Sequence, residues 1–190
     1  MSVACTILAA GETTTDGVPT ELVRFHSSGP LVHWAAQCAC GSRCARVSVV
    51  VGSRAAEVTE CVADLPVEFL TARDWREGSA AAVRTAVRWA MERMADALLV
   101  CSSDQPFLTT RHLNALLFAS EQGTRLAASY YSGRAGMPAV IPERYFEQAL
   151  ALQGDENITT LLRRMPGAVC IAWPEGAIEV DSPSEISQAH

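Results

Sequence analysis

Lysine is missing from this chain. All 15 of its basic residues are arginines, so any cation that meets a phosphate here is a guanidinium or a metal ion. Aromatic residues are scarce at 6%, against 49% hydrophobic residues in all, so the core must be built largely from Ala, Val and Leu. No apolar run approaches the ~20 residues that span a bilayer. The opening residues Met1-Ser2-Val3-Ala4 carry no basic stretch of the kind that begins a signal peptide. The expectation is a cytoplasmic protein with no membrane partner. Excess positive charge is lacking too. A net charge of −6 and a pI near 5.2 argue against a broad nucleic-acid surface.

What is present is an alternation of strand and helix along 190 residues, a length that suits a single domain over residues 1–190 with a full-sized core. Buried-strand patterns fall at residues 3–8, 47–51, 67–70, 97–101, 125–130 and 138–141, with short edge strands at 169–171 and 177–180. Helical patterns fall at 31–40, 54–62, 78–94, 110–122, 143–152, 158–164 and 183–188. In the third of these, Ala82, Val83, Ala86, Val87, Ala90, Met91 and Met94 form an apolar stripe. Several strands are continuous apolar runs, as strands covered on both faces are. The pattern predicts an α/β fold: a mostly parallel sheet in a three-layer α/β/α sandwich. Ligands of such sheets sit beyond the carboxyl ends of the strands, near the switch point.

The seven cysteines read as free thiols, with Cys5, Cys101 and Cys170 as small buried hydrophobes. The cluster Cys38, Cys40 and Cys44 has one ligand too few for a structural zinc site and reads as reduced and metal-free.

Four segments can carry chemistry. The first strand breaks into Leu8-Ala9-Ala10-Gly11, and the loop runs on through Gly17-Val18-Pro19-Thr20-Glu21-Leu22. In such a loop backbone N–H groups can face a phosphate. After the fourth strand comes Ser102-Ser103-Asp104-Gln105-Pro106. Asp104 either holds Mg²⁺ against nucleotide phosphates or caps the turn before Pro106. Near the end, Glu179-Val180-Asp181-Ser182-Pro183 offers a second strand-end acid or the cap of a last helix. Between two strands, Gly133-Arg134-Ala135-Gly136-Met137-Pro138 is either a glycine-rich hairpin or a substrate-binding segment. There Arg134 can meet a phosphate bidentately.

Together these segments resemble the MobA-like NTP transferases, the nucleotidyltransferases of molybdenum-cofactor synthesis and their relatives. The loop of that family reads L-A-A-G-x-S-x-R-M-G-x-P-K-x-L. Leu8, Ala9, Ala10, Gly11, Gly17, Pro19 and Leu22 fit it, while its Arg and Lys fall on Thr15 and Thr20. The D-Q-P at 104–106 resembles the metal-binding segment of the molybdopterin cytidylyltransferase branch, and Asp181 and Pro183 fit the family's D-I-D-T-P-E-D. Gly154-Asp155 and Leu161-Leu162 fit G-D-x-G-A-R-x-L-L, whose second Gly and Arg are Asn157 and Thr159 here.

The resemblance implies a nucleotide-diphospho-sugar transferase-like, Rossmann-like fold. It implies Mg²⁺-dependent transfer of a nucleoside monophosphate from an NTP, CTP or GTP, to a phosphorylated acceptor, with molybdopterin as a candidate. Asp104 and Asp181 would be catalytic and would hold the metal. Leu8, Ala9, Ala10, Gly11, Gly17 and the Gly78 backbone would bind nucleotide. Arg134, Gly136 and Pro138 would bind the acceptor. Arg24, Arg73 and Arg76 are the nearest arginines in sequence that could replace the absent loop cations, and Trp75 could stack on a base. The alternative is a non-catalytic nucleotide- or pterin-binding regulator or escort on the same fold. Two lost cations and three loop acids, Glu12, Asp16 and Glu21, favour that alternative.

Overall fold

Seven strands form one sheet in the order β3-β2-β1-β4-β6-β5-β7. The computed structural model describes residues 1–11, 19–24, 29–165 and 167–178. The strands are β1 (Val3–Ala9), β2 (Arg46–Val51), β3 (Glu68–Thr71), β4 (Ala97–Ser102), β5 (Ala127–Tyr131), β6 (Arg134–Pro142) and β7 (Val169–Ala172). All pairings are parallel except those of β6, which runs against β4 and β5. The chain builds outward from β1 through β2 to β3, then returns to lay β4 on the other side of β1. The crevice between β1 and β4 is therefore the switch point.

Period-two alternation supplies both cores. β1 sends Cys5, Ile7 and Ala9 to one face and Ala4 and Leu8 to the other, and β4 does the same with Leu99 and Cys101 against Leu98 and Val100. The first face is covered by α1 (Leu31–Cys40), α2 (Ala55–Cys61) and α4 (Thr110–Ala119), through residues such as Val32, Val58 and Leu113. The second is covered by α3 (Ser79–Glu92), α5 (Phe146–Leu150) and α6 (Ile158–Arg164), through Val83, Phe146 and Leu161. The result is the three-layer sandwich the alternation implies. No helix among the described residues is long and apolar enough to cross a membrane.

Several boundaries depart from expectation for local reasons. The helix expected to run to 122 stops at Ala119, because Glu121 and Gln122 turn left-handed at φ 50° and 58°. The helix expected at 143–152 is a 3-10 turn, Glu143–Tyr145, leading into α5. β6 begins four residues early at Arg134, since Ser132 and Gly133 both adopt positive φ and close a two-residue hairpin with β5. Ala177 does not begin an edge strand; it ends a 3-10 turn, Pro174–Ala177. The expected helix at 183–188 lies outside the described residues.

Met91 on α3 and Met94 just beyond its end are exposed at 47% and 87%. Trp89 takes the inward place and gives its Nε1–H to Glu68 at 3.2 Å. Cys170 is exposed, not buried, because β7 is an edge strand that turns alternate residues outward. Cys5 and Cys101 are buried with their sulfurs 3.9 Å apart, and Cys38 points its thiol at the Leu108 carbonyl at 3.4 Å. Among the described residues no group of three or more His, Cys, Asp or Glu is placed to hold a metal ion.

Candidate functional site

The sheet's central strands end at a cavity of about 670 Å³. Its floor is set by how β4 leaves the sheet. Ser103 is buried and ties back to β1, its backbone N–H and its hydroxyl both donating to the Leu8 carbonyl at 3.3 Å and 3.1 Å. Gln105, 2% exposed, reaches the other way. Its Nε2, with two hydrogens to donate, lies 3.1–3.3 Å from three acceptors, the Tyr131 hydroxyl and the Met137 and Gly176 carbonyls. Asp104 is held between these two anchors and lines the cavity. The D-Q-P segment thus has a structural part, Gln105, and a part that faces the cavity, Asp104.

Leu8, Ala10 and Gly11 form the β1 side of the lining. Ala10 can sit where it does because Gly52, which follows β2, lacks a side chain: a Cβ there would meet Ala10 at 3.1 Å. Ala9 faces away into the core beneath α1 and is 1% exposed. Its side chain is therefore not part of the cavity lining, and any part it has in holding nucleotide falls to its backbone.

A second wall comes from the start of α3. Gly78 has φ 120°, and a Cβ there would meet Asp155 Oδ1 at 2.4 Å and the Gly154 carbonyl at 2.5 Å. The same carbonyl accepts the Ala80 N–H at 3.0 Å. Arg84 clamps the pair of segments from behind, donating to the Leu152 carbonyl at 2.7 Å and pairing with Glu77, whose carboxyl it holds below the usual range. Trp75 lines this wall, with the Arg76 guanidinium 5.0 Å from its ring centroid.

The third wall is α6 with the β5–β6 hairpin. Asn157, at the family's second Gly, is a helix cap: its Oδ1 accepts the Thr160 N–H at 3.2 Å, and Thr160 Oγ1 accepts the Asn157 N–H. Thr159, Arg163, Tyr131, Arg134 and Met137 complete the lining. Gly136 and Pro138, expected to touch the acceptor, are buried behind it. Gly136 makes room for Tyr131, since a Cβ there would meet the Tyr131 hydroxyl at 2.5 Å.

Of the arginines expected to replace the loop cations, none lines the cavity. Arg24 forms an isolated bridge with Pro30, Arg73 lines a separate groove beside Phe69, and Arg76 covers Trp75. Gly17, Thr15 and Asp181 lie outside the described residues.

One residue escaped the sequence reading, and the burial of another was not legible in it. Arg163 lines the cavity four residues beyond Thr159, one helical turn from the family's Arg position, and that spacing is the signal that could have found it. Glu21 reads in the sequence only as one of three loop acids, and its unspecified position in the loop pattern gives no signal of its burial. Only 3% exposed, it has its carboxyl pushed up to about 7. Burial is the main cause and the nearby Asp104 charge adds to it, while its own backbone N–H and Arg54 oppose the shift.

The fold has solved relatives. A nucleotidyl transferase from Methanothermobacter superposes with a TM-score of 0.80 at 20% identity, over 98% of this chain and 95% of that one. A Mycobacterium tuberculosis protein solved in complex with manganese superposes with a TM-score of 0.73 at 17% identity, over 99% and 96%. In sequence, the purine catabolism protein PucB of Bacillus subtilis is 31% identical over 117 residues. That match spans 60% of this chain and 56% of the Bacillus protein, so little more than half of that relative is represented here. Residues 5–169 match the model of the MobA-like NTP transferase domain, and the chain belongs to that nucleotidyltransferase family.

Proposed function

We propose that this protein transfers a nucleoside monophosphate from CTP or GTP, with Mg²⁺, to a phosphorylated acceptor of the molybdopterin type. The observation that carries this reading is the anchoring of Asp104 between Ser103 and Gln105 at the mouth of the β1–β4 crevice.

The residues fit a divalent metal of this kind. Mg²⁺ takes one or two carboxylates and completes its shell with phosphate oxygens and water. Asp104 supplies one such carboxylate on the cavity lining, without a protein-only cage. When bound, the metal would neutralise charge building on the phosphates. The remaining work falls to the chain. The backbone at Gly11 approaches the phosphates without a side chain in the way, and Ala82 and Trp75 give the base an apolar wall. An acceptor phosphate oxygen forms a bond to the α-phosphorus as the bond to pyrophosphate breaks, and pyrophosphate leaves.

The test is pyrophosphate release from CTP, GTP and ATP with Mg²⁺ and molybdopterin. Acceptor-dependent release from CTP or GTP is expected. A second reading, nucleotide or pterin binding without transfer, is favoured by one observation: Thr20 stands where the family has Lys, and buried Glu21 follows it. Tight binding of nucleotide with no release under any condition would select that reading.

A further inference from the structure

Six of the 15 arginines of this protein are neutralised by carboxylates. Arg46, Arg54, Arg84, Arg93, Arg125 and Arg164 all pair with carboxylates within 4 Å. Arg134 and Arg163 do not, among the described residues, and they are the arginines found on the cavity lining. Adjacent positions of α6 show the contrast. Arg164 pairs with Glu156, while Arg163 has a 3.4 Å contact with the Thr160 hydroxyl and faces the cavity.

Topology places both cations on one side of Asp104. The order β1-β4-β6 puts Gly11 on one flank of the β4 end and β6 on the other, with neighbouring strands about 4.8 Å apart. Because β6 is antiparallel to β4, pairing Val100 with Ala139, its first residue, Arg134, lies beyond the β4 carboxyl end, where Asp104 is. α6 packs on β6 and brings Arg163 to the same flank.

We infer that Arg163 and Arg134 together hold the phosphate monoester dianion of the acceptor, and that Arg163 takes over, one turn along α6, a cation position that Thr159 vacated. This rests on the transfer reading above. Phosphoryl-centre displacement sets the attacking and leaving oxygens roughly in line. With the α-phosphorus at Asp104 and pyrophosphate leaving along the Gly11 loop, the attacking phosphate must come from the opposite flank. That flank carries two unneutralised guanidiniums, whose forks match a dianion bidentately. The attacking oxygen keeps its electron pair free for the new P–O bond while the other oxygens accept from the guanidiniums.

The experiment is a nuclear magnetic resonance titration of the arginine Nε–H signals with glycerol 2-phosphate, run beside titrations with Mg²⁺-pyrophosphate and Mg²⁺-CTP. Saturable shifts of Arg134 and Arg163 with glycerol 2-phosphate are expected. Arg163→Gln should weaken that binding about tenfold, as loss of one charged hydrogen-bonding partner does, and leave Mg²⁺-pyrophosphate affinity unchanged. Moving the cation back, with Arg163→Thr and Thr159→Arg together, should restore monoester binding.

Absence of saturable monoester shifts at either arginine overturns the inference. So does Arg163→Gln weakening pyrophosphate in place of the monoester, which would make Arg163 a triphosphate contact. If Mg²⁺-CTP and Mg²⁺-GTP fail to bind while the monoester behaves as described, the nucleotide reading fails and the anion clamp stands.

Discussion

The Glu21 carboxylate lies 3.6 Å from the point where a side chain on Gly11 would begin, and its charge and that of Asp104 oppose each other. The loop therefore presents a buried acid at the place where its relatives present a lysine one residue earlier. An acid whose folded pKa is raised adds stability below its unfolded pKa, near 4.5, and loses it as pH rises toward its folded value, about 7. Between about pH 5 and about pH 7.5 the wild type should lose on the order of 2–3 kcal/mol relative to Glu21→Gln. Urea unfolding at both pH values measures this. Parallel pH dependence in the two proteins would mean that Glu21 is not held in the desolvated state described.

Gly78 joins the start of α3 to the 154–155 segment with no space for a side chain and a backbone that disfavours one. Gly78→Ala should cost about 2–4 kcal/mol, combining a disallowed backbone region with a clash against backbone atoms. Gly133→Ala is the comparison. Gly133 also has positive φ but nothing within 4 Å, so only the backbone penalty applies, on the order of 1 kcal/mol. Urea midpoints of the two variants, with unchanged m values, should separate clearly. Equal costs would mean that the 154–155 segment yields freely.

The thiols sort by environment. Burial pushes Cys38 up to about 11, and burial also raises Cys40 and Cys61. Cys5 and Cys44 are raised chiefly by hydrogen bonds among neighbouring thiols, with burial adding to the effect. Cys170 is exposed on β7. A thiol reagent at mildly alkaline pH should show one fast equivalent that disappears in Cys170→Ser, with half-buried Cys40, Cys44 and Cys61 reacting more slowly and buried Cys5, Cys38 and Cys101 only on unfolding. A fast phase of the same size in that variant would contradict the placement of the remaining six.

The fold was legible because its strands are apolar runs and its helices carry a 3.6-residue period. Helices 31–40 and 158–164 come out with the boundaries read from sequence. The misreadings are places where local pattern is silent. Trp89 displaces Met91 from the inner face of α3 because a neighbouring strand offers Glu68 to its indole. Cys170 looks like a buried residue in a short apolar run, and only its strand's position at the sheet edge exposes it.

The cavity lining was legible where a motif fixes a backbone turn, as at Gly11, Gly78 and Asp104. The place of Arg163 and the burial of Glu21 were not, because both depend on which elements pack together. Gly136 and Pro138 belong to a matching motif, yet they serve Tyr131 and the strand, not the cavity.

The central claim is that the cavity at Asp104 binds a nucleoside triphosphate together with a divalent metal. The most direct measurement is thermal unfolding of wild type and Asp104→Asn with CTP, GTP and ATP, each with and without Mg²⁺. A bound nucleotide at about 100 times its Kd should stabilise the wild type by about 2.7 kcal/mol. That gain should require Mg²⁺ and vanish in Asp104→Asn. Stabilisation that is indifferent to Mg²⁺, or equal in the two proteins, would contradict the account.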